Sequence, residues 1–368
     1  LQSKHNLRDP PELVLCMCAI FFATYAAFAL SIYGFALWFI QPPSVDRFIE
    51  PPARMETIPM ASVELESIHV ETVALSVSEA PEHDRIYTIL VAGEDIGGLT
   101  DVIMLVSFNV TERTINVLSI PRDTMVNVPW AGRRINSIRN LYRRLPQDFD
   151  HYIYALTDHV ERIVGFPVDH WITVDLGSFI TLVNAIPGDG IYFNVPQRMS
   201  YRDPYQGLTI DLQPGYQYLC GYQAMQLVRY RRYRTGDIQR NQVQQNFLRA
   251  LSGQLLENPS ILIVDDLIRI FRDNVDTSLT LRNLAFFAME FLRMESEDIR
   301  FHVVDSSVAN IADNVGGRSM VTLHVDPWIT LINTYMNPLP WNIYAEDVEL
   351  LTRHPDTGAL FTTNGAPF

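Results

Sequence analysis

Arg229, Arg231, Arg232, Arg234 and Arg240 fall within eighteen residues, VRYRRYRTGDIQRNQVQQ, from Val228 to Gln245, against one acid, Asp237. Five charges less one leave about +4 there, in a chain of 368 residues whose 28 basic and 42 acidic side chains give a net charge of −14. Arginine presents a planar fork of donors that pairs bidentately with phosphate or carboxylate. The concentration suits a small, highly charged anion; a solvated charged face is the plainer alternative. Asp237 is placed to cap a long amphipathic helix. Arg240, Gln244, Phe247, Leu248 and Leu251 follow at helical spacing. Arg240 and Gln244 therefore project from the first two turns, where the helix dipole favours an anion. An extended VRYR would set Arg229 and Arg231 on one face, and a helical one would diverge them.

Carboxylates come from upstream. VIMLVSFNV and TINVLSIP read as strands joined by a polar turn around Thr111 to Arg113, an antiparallel hairpin. With the turn centred near 112, residue i faces roughly 224 minus i. Asp101 then lies opposite Arg122 to Thr124, so the loop GEDIGGLTD meets the end of SIPRDT at one sheet edge. That gathers Asp95, Asp101, Arg122 and Asp123. Taken alone, Arg122 and Asp123 simply tie down a turn. Taken with the second cluster, arginines at a helix N-terminus suit a pyrophosphate, and two carboxylates suit Mg2+ bridging it.

The elements that must hold these residues alternate in type. IYTILVAG is a buried strand, followed by the hairpin. RINSIRNLYRRL and DFDHYIYALTDHVERIVG read as helices, DHWITVDL as a strand, GSFITLVNAI as a helix and GIYFNVP as a strand. GYQAMQLVRY starts helical before the long helix. Beyond it come helices near 262–273 and 280–294, the strand RFHVVDS, a strand near MVTLHV and a helix from Asp326. The pattern predicts an α/β fold, an α-β-α layered sandwich whose first hairpin makes the central sheet mixed.

Leu13 to Ile40 is 28 residues without a charge. As a helix it spans about 42 Å at ~1.5 Å per residue, enough to cross a hydrocarbon core of about 30 Å. A signal peptide has a shorter apolar region and a small-residue cleavage site, so one transmembrane anchor is expected. Lys4 and Arg8 put the N-terminus in the cytoplasm and the rest outside. The expected organisation is a stub over 1–12, the anchor over 13–40, an extracellular Pro- and Glu-rich stalk over 41–84, a catalytic core over 85–257, a continuation packing on it over 258–345, and a tail over 346–368. The acidic balance and outward topology argue against nucleic acid. Cys16 and Cys18 lie in the apolar run, which leaves Cys220 alone and excludes a disulfide framework in the remainder.

The order GxD, then TD before an apolar strand, SIPRD, VRYR, and GDxxR with a QQ pair resembles the LytR-CpsA-Psr family, over about Ile86 to Leu256. LQPG at Leu212 to Gly215 also looks like the family's LxPG element. The resemblance implies a membrane-anchored enzyme that transfers a glycopolymer from a polyprenyl-diphosphate carrier to a peptidoglycan hydroxyl. It implies Asp95 and Asp101 as metal-associated aspartates for Mg2+, either of which could take the hydroxyl proton. It likewise implies Arg122, Arg229, Arg231 and Arg240 as diphosphate-binding arginines, Arg122 also acting in catalysis, and Gln244 as a head-group contact. Part of the apolar helices between Phe149 and Ile186 would form a lipid groove. Three positions depart from the pattern: Ile96 replaces an arginine, the loop from Asp95 to Asp101 is short, and Val243 replaces an arginine near the site. A polyprenyl-diphosphate phosphatase and a non-catalytic lipid- or wall-binding regulator remain as alternatives.

Overall fold

The computed structural model describes residues 40–45, 85–94, 99–129, 132–138, 152–186, 188, 190–205, 207–234, 237–257, 268, 269 and 271–368. The expected stub, the anchor up to residue 39 and the stalk from 46 to 84 lie outside the described residues, as does most of the helix expected near 262–273. Among the described residues no helix is long and apolar enough to cross a membrane.

In chain order the strands are β1 (Ile86–Glu94), β2 (Thr100–Asn109), β3 (Thr114–Ser119), β4 (His170–Val174), β5 (Ile191–Val195), β6 (Met199–Asp203), β7 (Leu208–Leu212), β8 (Gly215–Leu219), β9 (Asp276–Thr277), β10 (Ile299–Val303), β11 (Ala309–Val315), β12 (Arg318–Leu323), β13 (Leu351–Arg353) and β14 (Leu360–Thr362). The helices are α1 (Tyr152–Val164), α2 (Leu176–Asn184), α3 (Gly221–Arg229), α4 (Asp237–Glu257), α5 (Leu281–Phe291) and α6 (Val325–Tyr335).

Six strands form the central sheet in the order β10-β3-β2-β1-β4-β9. β1 with β4 and β3 with β10 are parallel, and the other pairs are antiparallel, so the sheet is mixed. Side chains alternate across it. Leu90, Ala92, Ile103, Leu105 and Leu118 point to one face and pack with α1 and α6. There Trp328 is fully buried and its indole N–H donates to the Ile163 carbonyl at 2.6 Å, which pins α6 to α1. Tyr87, Ile89, Phe108, Ile115 and Val117 point to the other face, where Phe286 and Phe287 of α5 cover one end. Ile40 and Val45 pack against this cluster, and the Gln41 carbonyl accepts from Asn283 Nδ2 at 3.3 Å. The opposite end of the same face is left to α2 and α4.

Those two helices belong to a second core. β5 pairs β8 and β6 pairs β7, the second hairpin nested inside the first, and their inward residues pack with α2, α3 and α4. α2 and α3 lie very close: a Cβ on Gly221 would come within 2.2 Å of the Ile180 carbonyl oxygen, so only glycine fits there.

The structure corrects three expectations. Met104 faces Ser119 and Asn109 faces Thr114, one residue tighter than the predicted register. The loop is the four residues between Asn109 and Thr114, closed by Arg113 in the left-handed region at φ 54°. The segment 346–368 is not a loose tail: β13 and β14 form a hairpin, Leu350 and Leu351 are buried, and Arg353 Nε donates to Asp313 Oδ2 at 2.6 Å. Finally, β10 enters the central sheet beside β3, so the region after 258 helps to build the sandwich as well as packing on it.

Candidate active site

Asp101 is the second residue of β2, and Arg122 follows β3 by way of Pro121. Arg122 Nη1 donates to Asp101 Oδ1 at 2.8 Å, and Arg231 Nη2 donates to the other oxygen, Oδ2. Asp123 Oδ2 lies 3.6 Å from Arg122 Nε and its Oδ1 3.4 Å from Arg134 Nη1. Charges therefore alternate from Arg231 through Asp101, Arg122 and Asp123 to Arg134. The backbone beneath is fixed: Asn136 N–H donates to the Arg122 carbonyl at 3.1 Å, and Val321 N–H to the Asp123 carbonyl at 2.9 Å. Asp101 and Arg122 side chains are 20% and 19% exposed, while Arg231 is 48% exposed.

VRYR is half helical. Arg229 ends α3, and Tyr230 leaves it extended at φ −66°, ψ 129°, which carries Arg231 round toward Asp101. Arg240 in the first turn of α4 is only 4% exposed. Gln244 Nε2 donates to the Val228 carbonyl at 2.9 Å, clamping α4 to the end of α3 beside Arg229. Arg232 goes elsewhere, its guanidinium 4.8 Å above the Tyr201 ring. Tyr233 is buried beside Tyr230; burial pushes its phenol pKa up and Arg240 opposes the rise, so it stays neutral. Asp95 and the Asp237 side chain lie outside the described residues.

Six of the residues expected at the site line one cavity of about 370 Å³, whose mouth lies where Asp101, Arg122 and Arg231 reach solvent. They are Asp101, Arg122, Arg229, Arg231, Arg240 and Gln244. Its interior is apolar, walled by Leu182, Val183 and Ile186 from the α2 side and Leu248, Leu251 and Leu255 of α4. The helical spacing read from Arg240 through Gln244, Phe247, Leu248 and Leu251 thus falls on one cavity-facing side. The expectation for Phe149 to Ile186 divides. α2 walls the cavity, whereas the buried residues of α1 pack on the opposite face of the sheet. Val243 is buried with Tyr230, Tyr233 and Phe247 rather than lining the cavity, so the arginine missing there removes no charge from its wall.

Glu94, which no sequence motif singles out, lines the cavity and accepts from the Tyr152 hydroxyl of α1, on the sheet face it shares with Leu90 and Ala92. The register shifts there because β2 carries one extra residue: Gly93 faces Val102 and Glu94 faces Thr100, which leaves Asp101 unpaired in a bulge at the sheet edge. Among the described residues no group of three or more His, Cys, Asp or Glu could hold a metal. Mg2+ needs only one or two protein carboxylates when phosphate oxygens complete its shell. Asp101 meets that minimum by sharing lone pairs now facing Arg122 and Arg231.

The fold is an α/β/α sandwich with a mixed central sheet, and arginines and apolar side chains line one cavity in it. The family model named LytR_cpsA_psr matches residues 59–326, and the chain belongs to the LytR-CpsA-Psr family. It is 28% identical over 187 residues to the polyisoprenyl-teichoic acid–peptidoglycan teichoic acid transferase TagV of Bacillus subtilis, covering 50% of this chain and 45% of that protein. To the probable cell wall biosynthesis protein LcpB of Corynebacterium glutamicum it is 34% identical over 161 residues, covering 43% and 35%. The matches span under half the length of these two relatives. The regulatory protein MsrR of Staphylococcus aureus is 22% identical over 268 residues, covering 71% and 78%. The fold is that of the B. subtilis TagV crystal structure, with a TM-score of 0.56 at 22% identity over 71% of this chain and 99% of that one. TagT bound to LIIa-WTA gives 0.53 at 20% identity over 70% and 92%.

Proposed function

We propose that this protein is a phosphotransferase that moves a glycopolymer from a polyprenyl-diphosphate carrier onto a peptidoglycan sugar hydroxyl. The observation that carries the reading is the lining of one cavity by both apolar side chains and arginines. A polyprenyl diphosphate has the two matching parts. Arg122, Arg229, Arg231 and Arg240 would clamp the diphosphate with charge-assisted bonds. The acceptor hydroxyl oxygen attacks the glycan-side phosphorus, the bond from that phosphorus to the bridging oxygen breaks, and polyprenyl phosphate leaves. The hydroxyl proton passes to a carboxylate, Asp101 or Asp95. Mg2+ bound at Asp101 and Asp95 would neutralise charge on the phosphate oxygens. The run from Leu13 to Ile40, as an anchor, would hold the domain outside the cell beside the carrier's membrane.

The test is Mg2+-dependent transfer from a short polyprenyl-diphosphate glycan to a peptidoglycan fragment. Acceptor-linked phosphodiester and free polyprenyl phosphate are expected in equal amounts. Glycan phosphate without acceptor-linked product would indicate a phosphatase. Tight retention of the lipid without any turnover would indicate a non-catalytic regulator.

A further inference from the structure

Besides the arginines the cavity holds a second polar feature. Ser119, the last residue of β3, lines the wall opposite Met104 in the neighbouring strand. Its hydroxyl oxygen accepts from Gln245 Nε2 at 2.9 Å, and the same amide nitrogen donates to the His302 carbonyl at 2.8 Å. Gln245 is 4% exposed and lies on α4, so it bridges that helix to β3 and to β10. A hydroxyl has one hydrogen to give and two lone pairs to receive. The Gln245 bond occupies a lone pair, and the hydroxyl hydrogen has no acceptor among the described residues. Val91, Met104 and Leu248, all apolar, also line this cavity. Gln245 lies five residues, about 7.5 Å along the helix, beyond Arg240 toward the apolar end.

We infer that Ser119 is a further substrate-binding residue, whose hydroxyl, oriented by Gln245, donates to the lipid-side phosphate of the carrier. The inference rests on the proposed donor. With the isoprenoid chain running into the apolar interior, the inner phosphate is the one attached to the lipid, and it meets the wall one level below the arginines. That phosphate is the leaving group, which gains charge as the bond to the glycan-side phosphorus breaks. A donor aimed at it binds more strongly in the transition state than in the ground state. Gln245 is then a positioning residue: it touches no substrate but fixes which way the Ser119 hydrogen points.

Calorimetric titration of the whole protein with geranylgeranyl diphosphate and with geranylgeraniol separates these roles from mere packing. Ser119→Ala is expected to weaken the diphosphate about tenfold, as for a hydrogen bond to a charged group, and to leave the alcohol unchanged. Ser119→Thr, which keeps the hydroxyl, should restore most of that affinity. Gln245→Leu should weaken the diphosphate less than Ser119→Ala, and the double variant should be no weaker than Ser119→Ala alone, the signature of coupled groups. In the transfer assay Ser119→Ala should lower kcat more than it raises KM. Unchanged diphosphate binding by Ser119→Ala, or an equal loss for the alcohol, would overturn the inference and leave the proposed donor standing. Failure of the unmodified protein to bind the diphosphate, with the alcohol still bound, would overturn the donor assignment itself.

Discussion

Asp101 holds one arginine on each carboxylate oxygen, and both come from different parts of the chain, Arg122 after β3 and Arg231 after α3. Without substrate the carboxylate keeps two guanidiniums at the mouth that a diphosphate would then recruit. Removing one arginine deletes charge-assisted bonds of about 1.5–3 kcal/mol. Arg122→Ala and Arg240→Ala should therefore lower transfer roughly 10- to 150-fold. Arg232→Ala should change transfer by less than about twofold, because that side chain lies over Tyr201 and does not line the cavity. Comparing kcat/KM of these variants checks the set, and a loss at Arg232 equal to that at Arg229 would reduce the stretch to a diffuse positive patch. Arginine type and spacing made the cluster visible in the sequence, yet not how VRYR would bend. That depended on Tyr230 ending α3, which neither an all-helical nor an all-extended reading contains. Glu94 stayed hidden because no motif marks it, although alternation from Leu90 and Ala92 sets it on the α1 side of the sheet.

Elements with one strong pattern were the legible ones. The hairpin of β2 and β3 was readable to within one residue of register, because apolar alternation admits few pairings. The nested hairpins from β5 to β8 were readable only in part. MSYRD and GYQYL bury few residues each, and their partners are set by the α3 and α4 surfaces they cover. Of the helices between Phe149 and Ile186, part of which was expected to form a groove, α2 lines the cavity and α1 does not. α1 is apolar and aromatic, as a lipid-facing helix would be, but its buried side belongs to the sheet's other face. His159 sits on that side, with Nδ1 2.8 Å from the Ala155 carbonyl, and burial lowers its pKa below the usual value near 6.5. The unfolded chain then takes up the proton first as pH falls, so this group's contribution to stability is full above about 6.5 and is lost as pH drops through the folded value. Thermal unfolding followed from pH 7.5 to 5 should show stability falling below about 6.5. His159→Asn, which keeps an N–H for the Ala155 carbonyl, should flatten that fall in part, with the remainder from His302, also lowered by burial.

For the molecule as a whole, the cavity lies where two cores meet, the sandwich supplying Asp101 and Arg122 and the second core supplying Arg229, Arg231 and Arg240. On the proposed reading, a carrier lipid would reach that junction from a membrane. Ile40, where the uncharged run ends, packs with Val45 against the cluster built on α5, and Gln41 is bonded to Asn283 of that helix. If the run from Leu13 is the anchor, the domain is tethered by its α5 side at the bilayer surface, with no slack between residues 40 and 45. The chain's net charge of −14 fits that placement poorly on an anionic cytoplasmic leaflet and better on the outer side, where the positive-inside rule also puts it. Protease added outside intact cells should therefore remove residues beyond the anchor and leave a short membrane stub. The same protease should leave the chain intact in cells if the domain faces inward, an outcome that would remove both the cell-wall acceptor and the proposed transfer. Cleavage should be slow between residues 40 and 45, because docking on α5 shields that backbone. Mass spectrometry of the released fragments locates the cuts. Rapid cutting between 40 and 45 would mean that the contact with α5 does not hold the domain at the membrane.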